Sequence, residues 1–166
     1  MTPVVRQAVA ADLPLIAPLF DQYRRFQGQA PDLRACEDFL RARLDHGEAV
    51  LFLATLGGDP AGFAQLYPIH SSVSLKRVFV LNDLYVAEAG RRRGVATALL
   101  QALEAHAWAM GASSLRLNVA RANTGAQALY EAASWARDEH FFMYQRFPAE
   151  RAAVRSPGPT LCSLPP

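Results

Sequence analysis

The sequence lacks the residues and runs that mark several specialised classes of protein. Its 166 residues include only two cysteines, which form neither a Cys-x-x-Cys pair nor a disulfide framework. Its four histidines are scattered singly, so no metal-ligand spacing stands out. No apolar run approaches the ~18–20 residues of a membrane-spanning helix. These shortages predict a protein of a reducing compartment, with no disulfide scaffold, no metal site and no attachment to a membrane.

The N-terminal segment and the charge balance narrow the classes further. The first twenty residues lack the uninterrupted apolar stretch of a signal peptide, because Asp12, Pro14 and Pro18 break it. We therefore expect a cytoplasmic protein. Seventeen basic and fifteen acidic residues leave a net charge of only +2. This balance does not indicate a general binder of nucleic acid, so we expect no nucleic-acid partner.

The chain does contain enough hydrophobic residues for one folded domain. They make up 51% of the sequence and charged residues 19%, which argues against disorder. The length fits a single domain with at most a tail. The composition changes after residue 147, because residues 148–166 hold five of the eleven prolines and little periodic pattern. We predict a domain over residues 1–147 and a Pro-rich C-terminal tail over residues 148–166, without a catalytic role.

Helix-like and strand-like stretches alternate along the chain, which predicts an α/β fold. Asp12 and Asp32 are the expected capping residues of the first two helices. The predicted helices span residues 12–25, 32–45, 95–110 and 124–133. The predicted strands span residues 4–8, 49–56, 62–67, 73–86, 115–120, 135–138 and 141–147.

The most informative segment is a strand followed by a basic, glycine-containing loop and a long helix. The N-terminus of a helix offers unpaired backbone N–H groups and a partial positive charge, which suit a pyrophosphate. Gly94 and Ala96 are small enough for the backbone to approach phosphates closely. Three consecutive arginines add charge at the same place. By itself this pattern also fits a solvated run of charge.

Two well-known phosphate-binding motifs are absent from this loop. It contains neither the G-x-G-x-x-G fingerprint of dinucleotide sites nor the G-x-x-x-x-G-K-[ST] of P-loops. A phosphate-bearing ligand of another class remains, and coenzyme A, with its pyrophosphate, is the obvious candidate.

Two motifs in this region resemble those of one superfamily. Arg91-x-x-Gly94-x-Ala96 matches the R/Q-x-x-G-x-G/A motif of the GNAT superfamily of acetyl-CoA-dependent N-acetyltransferases. About 30 residues later, Asn123-x-x-Ala126-x-x-Leu129-Tyr130 looks like the N-x-x-A-x-x-L/F-Y motif of the same family. The resemblance is firm over residues 78–147 and looser back to residue 4. It departs at Ser134-Trp135, where the family commonly has Gly-Phe and where serine tolerates a positive φ less well.

The resemblance implies a single-domain GNAT fold. We expect a mixed, mostly antiparallel sheet of about six to seven strands flanked by about four helices. A V-shaped splay should separate the strand ending near Val86 from the strand beginning near Leu115. Acetyl-CoA would lie there, with the backbone N–H of Val86 polarising the thioester carbonyl. The implied cofactor contacts are Leu84, Tyr85, Val86, Arg91, Arg92, Arg93, Gly94, Val95, Ala96, Thr97, Asn118, Asn123, Ala126 and Tyr130.

The chemistry implied by the resemblance is direct attack of an amine on the thioester in a ternary complex. Tyr130 is the candidate general acid for the leaving thiolate. Asp83 is the candidate general base, with a water chain as the alternative, because Asn82 stands where polyamine acetyltransferases carry an acid. Successive strand residues point to opposite faces, so Asn82 and Asp83 can share a pocket only if a bulge intervenes.

The acceptor pocket is the least determined part of this interpretation. The resemblance places Tyr23, Phe26, Tyr67 and Asn82 there, with Asp21 as a further candidate for holding a cationic amine. We expect a small primary amine, polyamine-like or amino-acid-like. A protein or peptide amine, or a non-catalytic acetyl-CoA sensor, are the alternatives. We also expect a homodimer, because the aromatic run over residues 141–147 suits either a core or an interface.

Overall fold

Strands rich in alternating apolar residues form a five-stranded sheet in the computed structural model, which describes residues 1–148. The strands lie in sequence order; the first four are antiparallel to their neighbours, and the fifth is parallel to the fourth. They are β1 (Pro3–Gln7), β2 (Val50–Leu56), β3 (Asp59–Ser71), β4 (Lys76–Val86) and β5 (Ser114–Arg116). The helices are α1 (Leu13–Phe26), α2 (Leu33–Asp45), α3 (Val95–Ala109) and α4 (Thr124–Ala132).

Each face of the sheet carries its own hydrophobic core. Helices α1 and α2 cover one face, where Phe63 and Tyr85 pack with Leu51 and Leu53. Helices α3 and α4 contribute to the other core, which holds the alternate residues of the same strands, such as Phe52 and Leu84. We call these the α1–α2 face and the α3 face. No helix within residues 1–148 is both long and apolar enough to cross a membrane.

The two expected helix caps behave differently. Asp32 accepts a hydrogen bond from the Ala35 N–H at 3.0 Å and caps α2 as predicted. Asp12 precedes α1, but its carboxylate does not cap that helix. It instead accepts hydrogen bonds from Arg6 and from the Val9 N–H. The prediction for Asp12 is therefore wrong, because an ion pair to β1 takes the oxygens that a cap would need; Arg6 also lowers the pKa of Asp12 to about 2.

Strands β4 and β5 pair over three residues and then part. Their register runs from Val78 opposite Ser114 to Val80 opposite Arg116, whereas β4 continues to Val86. The edge of β4 beyond Val80 therefore opens on a gap rather than on a strand. This is the splay that the resemblance implied, although β5 is shorter than the predicted strand over residues 115–120.

A bulge interrupts the pairing of β3 with β4. Gln65 lies opposite Asp83, whereas the next residue of β3, Leu66, lies opposite Leu81, so Asn82 is the extra residue. An extra residue shifts the alternation of side chains by one. Leu81 and Leu84 consequently both belong to the core of the α3 face. The residues between them are left to the α1–α2 face.

The sheet has fewer strands than expected. Over residues 1–148 the α/β class, the mixed sheet and the four helices are confirmed, but the sheet has five strands rather than six to seven. Residues 135–138 and 141–147 form no strand, and Phe141, Phe142 and Tyr144 are more than 80% exposed. Their β-forming side chains signal a propensity, but a strand also needs a hydrogen-bonding partner. Most of the predicted tail, residues 149–166, lies outside the described residues.

Candidate active site

The loop before α3 has the backbone of an anion cradle. Gly94 precedes the helix with φ of 79°, and Arg92 also has a left-handed φ, of 56°. The first backbone bond of the helix runs from the Ala98 N–H to Gly94 O at 3.0 Å. The N–H groups of residues 95–97 belong to the first turn and have no intrahelical acceptor. Thr97 is exposed and Ala96 half-buried, so this end of the helix is open to a ligand.

Close packing holds the same helix end against the sheet. Val95 is 1% exposed and lies over Gly62 of β3, where an added Cβ would come 3.2 Å from Val95 Cγ1 and 2.6 Å from Tyr85 O. A side chain at this position would push α3 away from the strands. Arg92 and Arg93 are exposed and Arg91 is half-buried, and Arg93 Nη1 donates to Ala89 O at 3.3 Å.

The gap beside β4 adjoins this cradle. Leu84 and Val86 bury their side chains in the core of the α3 face, which leaves only their backbone for a ligand. Tyr85 turns the other way, and its hydroxyl donates to Gln22 Oε1 at 3.4 Å. Of the predicted cofactor contacts on β4, these three residues therefore line the gap with main chain rather than with side chains.

Tyr130 lies on the α3 face together with the residues of the gap. It is 4% exposed and belongs to the same cluster as Ala126, Leu84 and Val86. Its ring centroid is 5.8 Å from that of Trp135, whose Nε1 donates to Glu104 at 2.6 Å. The structure thus places Tyr130 in the core of the α3 face, the same core that buries the side chains of Leu84 and Val86.

The two predicted asparagine contacts have different surroundings. Asn123 caps α4, because its Oδ1 accepts from the Ala126 N–H at 3.0 Å. That oxygen is thereby engaged in holding the helix. Asn118 lies two residues beyond the end of β5, half-buried, on the diverging segment.

A buried polar cluster occupies the α1–α2 face at the bulge. Asp83 is 5% exposed and accepts a hydrogen bond from Asn82 Nδ2 at 2.9 Å and another from the hydroxyl of Tyr23. Burial raises the pKa of Asp83 to about 6, against the opposing effect of these two hydrogen bonds. The bulge therefore allows the adjacent residues Asn82 and Asp83 to place their side chains in one cluster.

Two residues of β3 complete this cluster. Gln65 is fully buried, and its Nε2 donates to the Tyr67 hydroxyl at 2.8 Å. Burial, followed by the charge of Asp83, raises the pKa of Tyr67 to about 12. Gln65 was missed by the sequence analysis. A glutamine within an otherwise apolar strand, Phe63-Ala64-Gln65-Leu66, is the signal that could have identified it.

The remaining predicted acceptor residues lie at the edge of the cluster or outside it. Phe26 is 44% exposed and stands one turn after Tyr23 on α1. Asp21 faces α2, where its Oδ1 accepts from the Asp32 N–H at 2.8 Å and its Oδ2 pairs with Arg25 at 3.3 Å. Asp21 is thus engaged in fixing the start of α2.

Comparisons with known proteins identify the family and fold of the chain. The family model "Acetyltransferase (GNAT) family" matches residues 15–135. The "Uncharacterized N-acetyltransferase YhfO" of Bacillus subtilis is 44% identical over 140 residues, which cover 84% of this chain and 94% of that protein. A crystal structure of a probable acetyltransferase has a TM-score of 0.83 at 39% identity, covering 88% of this chain and 98% of its own. The ribosomal-protein-alanine N-acetyltransferase of Brucella melitensis biovar Abortus has a TM-score of 0.72 at 25% identity, covering 88% and 100%.

Proposed function

The chain belongs to the GNAT acetyltransferase family, and from this premise we propose that it transfers the acetyl group of acetyl-CoA to the primary amine of a small molecule. The observation that carries the proposal is the position of Asp83. This carboxyl group is buried on β4, three residues before the strand ends beside the gap and the cradle. A buried acid next to a phosphate-binding backbone suits a reaction that must remove a proton from an amine.

The residues around the gap fit acetyl-CoA. Gly94 is uncrowded, since an added Cβ would find only Pro3 Cγ, at 4.0 Å, and Thr97 at the start of α3 is exposed. We propose that the pyrophosphate binds the N–H groups at the start of α3, with Arg91, Arg92 and Arg93 around it. The pantetheine arm would follow the unpaired edge of β4 from Val86. When bound, acetyl-CoA supplies a thioester that an amine can attack.

Asp83 is the proposed general base. A free alkyl amine has a pKa of about 10 and arrives protonated. With a pKa near 6, Asp83 is ionised at neutral pH and can accept that proton. Its buried negative charge has hydrogen-bond donors in Asn82 and Tyr23 but no ion-pair partner among the described contacts. A substrate ammonium group would supply the missing positive charge.

Tyr130 is the proposed general acid. The residue projects from α4 into the α3 face, where Leu84 and Val86 line the gap. A phenol there can donate a proton to the departing thiolate of coenzyme A. Base and acid would then act from opposite faces of the sheet, with the reacting atoms at its splayed edge.

The proposed acceptor is polyamine-like or amino-acid-like. Asp83, Tyr23 and Tyr67 form a buried acidic and aromatic cluster, which suits a primary ammonium group. Phe26 and Asn82, both partly exposed, would contact the rest of the acceptor. The Brucella relative named for ribosomal-protein alanine supports a peptide amine as the second candidate.

We also propose a homodimer. Phe141, Phe142, Met143, Tyr144 and Phe147 are all more than half exposed, which is an unusual amount of apolar surface for one short segment. A second copy of the chain would cover it. Sedimentation equilibrium of the full chain at micromolar concentration should give twice the monomer mass, and a single monomer mass would reject the dimer.

Thiol release from acetyl-CoA over a panel of amines tests the proposed function. The panel should contain polyamines, amino acids, aminoglycosides, arylamines and short peptides. We expect one group to react, and Asp83→Asn to lose at least ~100-fold in kcat/KM. Asp38→Asn is the matched control, because Asp38 is exposed on α2 and pairs loosely with Arg34 at 3.9 Å. Tight binding of acetyl-CoA with no turnover on any amine would favour the sensor instead.

A further inference from the structure

Gln65 is a buried polar residue to which the proposed mechanism gives no part. It is 0% exposed on β3, and its Nε2 is bound to the Tyr67 hydroxyl. Its Oε1 is equally buried and accepts no hydrogen bond within the described part of the chain. A buried acceptor without a donor destabilises the fold, because it has given up its hydrogen bonds to water. A donor that appears only in one protonation state of the site would account for its position.

Asp83 is placed to be that donor. Gln65 and Asp83 are register partners on antiparallel strands, and the bulge keeps both on the α1–α2 face. Directly opposite side chains have Cβ atoms about 4.5–5.5 Å apart, within reach of a hydrogen bond between their ends. An ionised carboxylate only accepts hydrogen bonds, but a neutral carboxyl group carries an O–H that donates.

We propose that Gln65 is a positioning residue that acts through Asp83, its Oε1 accepting the O–H of the neutral carboxyl group while the bond to Tyr67 fixes the orientation of the amide. The inference rests on the proposed role of Asp83 as the base. In the proton transfer, an N–H bond of the substrate ammonium breaks, its electron pair stays on nitrogen, and an O–H bond forms on Asp83. Gln65 then stabilises the protonated base, and in the ionised state it offers the carboxylate no donor.

The side chains that face Asp83 determine whether its titration can be observed separately. From α1 the Tyr23 hydroxyl faces it, and from β3 the Tyr67 hydroxyl, whose own pKa is raised to about 12. Beyond Tyr67 lie Arg43 and Glu48, which form an ion pair with each other at 2.5 Å. On β4 the neighbour is the neutral amide of Asn82. The Asn82 amide is uncharged and the pKa of Tyr67 is about 12, so between pH 4 and 8 the titration of this buried cluster follows the charge of Asp83.

Carboxyl ¹³C NMR titration of the full-length, ligand-free protein tests the inference without relying on catalysis. Asp83→Asn assigns the resonance. We expect the pKa of Asp83 to fall by about half to one pH unit in Gln65→Leu and in the unbranched Gln65→Met, because both remove the acceptor and keep the volume. Gln22→Leu is the matched control: it removes the acceptor of the Tyr85 hydroxyl from the same face and should leave the Asp83 pKa unchanged.

Two NMR outcomes would overturn the inference. An unchanged pKa in both Gln65 variants would mean that another group or a water holds the proton. A raised pKa would mean that the amide nitrogen, not Oε1, faces Asp83. Kinetics of the active enzyme separate this result from the proposed function: the acidic limb of kcat/KM should move down by the same amount in Gln65→Met. A fully active Asp83→Asn would reject the base while leaving the NMR result standing.

Discussion

Asn82 and Asp83, adjacent in sequence, place their side chains in the same buried cluster and are joined by a hydrogen bond of 2.9 Å. Regular pleating would send them to opposite faces. The bulge opposite Gln65 and Leu66 removes that restriction. One extra residue in β4 thus places the buried acid Asp83 and its hydrogen-bond partner Asn82 on the same face of the sheet.

The buried carboxyl group makes the stability of the fold depend on pH. The pKa of Asp83 is about 6 in the folded state, above its ordinary value of 3.8, so the folded protein binds more protons than the unfolded chain between these values. Its contribution to the free energy of unfolding therefore falls as the pH rises from ~4 to ~6, by about 2–3 kcal/mol in all. Asp83→Asn should abolish this fall. Urea denaturation at pH 4 and pH 7.5 measures it, and parallel curves for both proteins would contradict it.

The same pKa predicts the acidic limb of the rate profile. If Asp83 accepts the proton, kcat/KM should drop tenfold per pH unit below about pH 6. Substitution by asparagine should remove this limb along with most of the rate. Initial rates with saturating acetyl-CoA between pH 5 and 9 check the profile. The control variant Asp38→Asn, on the exposed face of α2, should keep the acidic limb of the wild-type protein. A limb that persists in Asp83→Asn would point to a different base.

Tyr130→Phe separates chemistry from packing. The ring is retained, so its contact with Trp135 and the core of the α3 face should survive. Loss of the hydroxyl should lower kcat by about 10²- to 10³-fold while the Kd for acetyl-CoA changes less than twofold. Tyr144→Phe, at a 91% exposed position, is the matched control. Steady-state kinetics measure kcat, and isothermal titration calorimetry measures the Kd for acetyl-CoA. An unaltered kcat would show that Tyr130 is not the general acid.

A pair of glycines distinguishes strain from ligand binding at the cradle. Gly94 and Gly28 have nearly the same φ, 79° and 81°, and neither is crowded. Alanine at either position should cost about 1 kcal/mol of folding free energy. Only Gly94→Ala should also weaken acetyl-CoA binding, by about tenfold, because its methyl group would occupy the space in front of the helix. Equal affinities of the two variants would place the pyrophosphate elsewhere.

Ser134 offers a stabilising substitution. It adopts a φ of 65°, which lies in the left-handed region that favours glycine. Ser134→Gly should raise the free energy of unfolding by up to about 1 kcal/mol, since the strain of a Cβ in this region exceeds the entropy that glycine adds to the unfolded chain. Thermal denaturation measures the change. A lower melting temperature would show that the serine conformation is unstrained.

The sequence predicted the elements whose signals are local. The Asp32 cap, the apolar stripe of α3 and the glycine before it depend on neighbours within one or two turns, and the structure has them. The strands expected over residues 135–147 failed because pairing depends on a distant partner, which β-propensity does not encode. The strand predicted over residues 62–67 is longer in the structure, because long-range pairing with β4 carries β3 through Pro68 to Ser71.

The site was only partly predictable for the same reason. Motif spacing identified the loop at Gly94 and the position of Tyr130 directly. Asn82 and Asp83 share a cluster only because of a bulge, which no residue type signals. The position of Gln65 opposite Asp83 follows only from the register of β3 and β4. Asp21 was a further candidate for holding an amine, but its Oδ1 accepts a hydrogen bond from the Asp32 N–H at the start of α2 instead.

Because a single sheet divides the molecule into two separately packed cores, its two halves can diverge at different rates. The α3 half holds the cradle and the gap, and the α1–α2 half holds Asp83 and the aromatic residues near it. Under the proposed function, substitutions that reshape α1 or α2 would alter which acceptor fits while the donor side keeps its geometry. An engineer seeking a new acceptor could therefore confine a mutant library to one layer of the protein and leave the acyl-donor layer untouched.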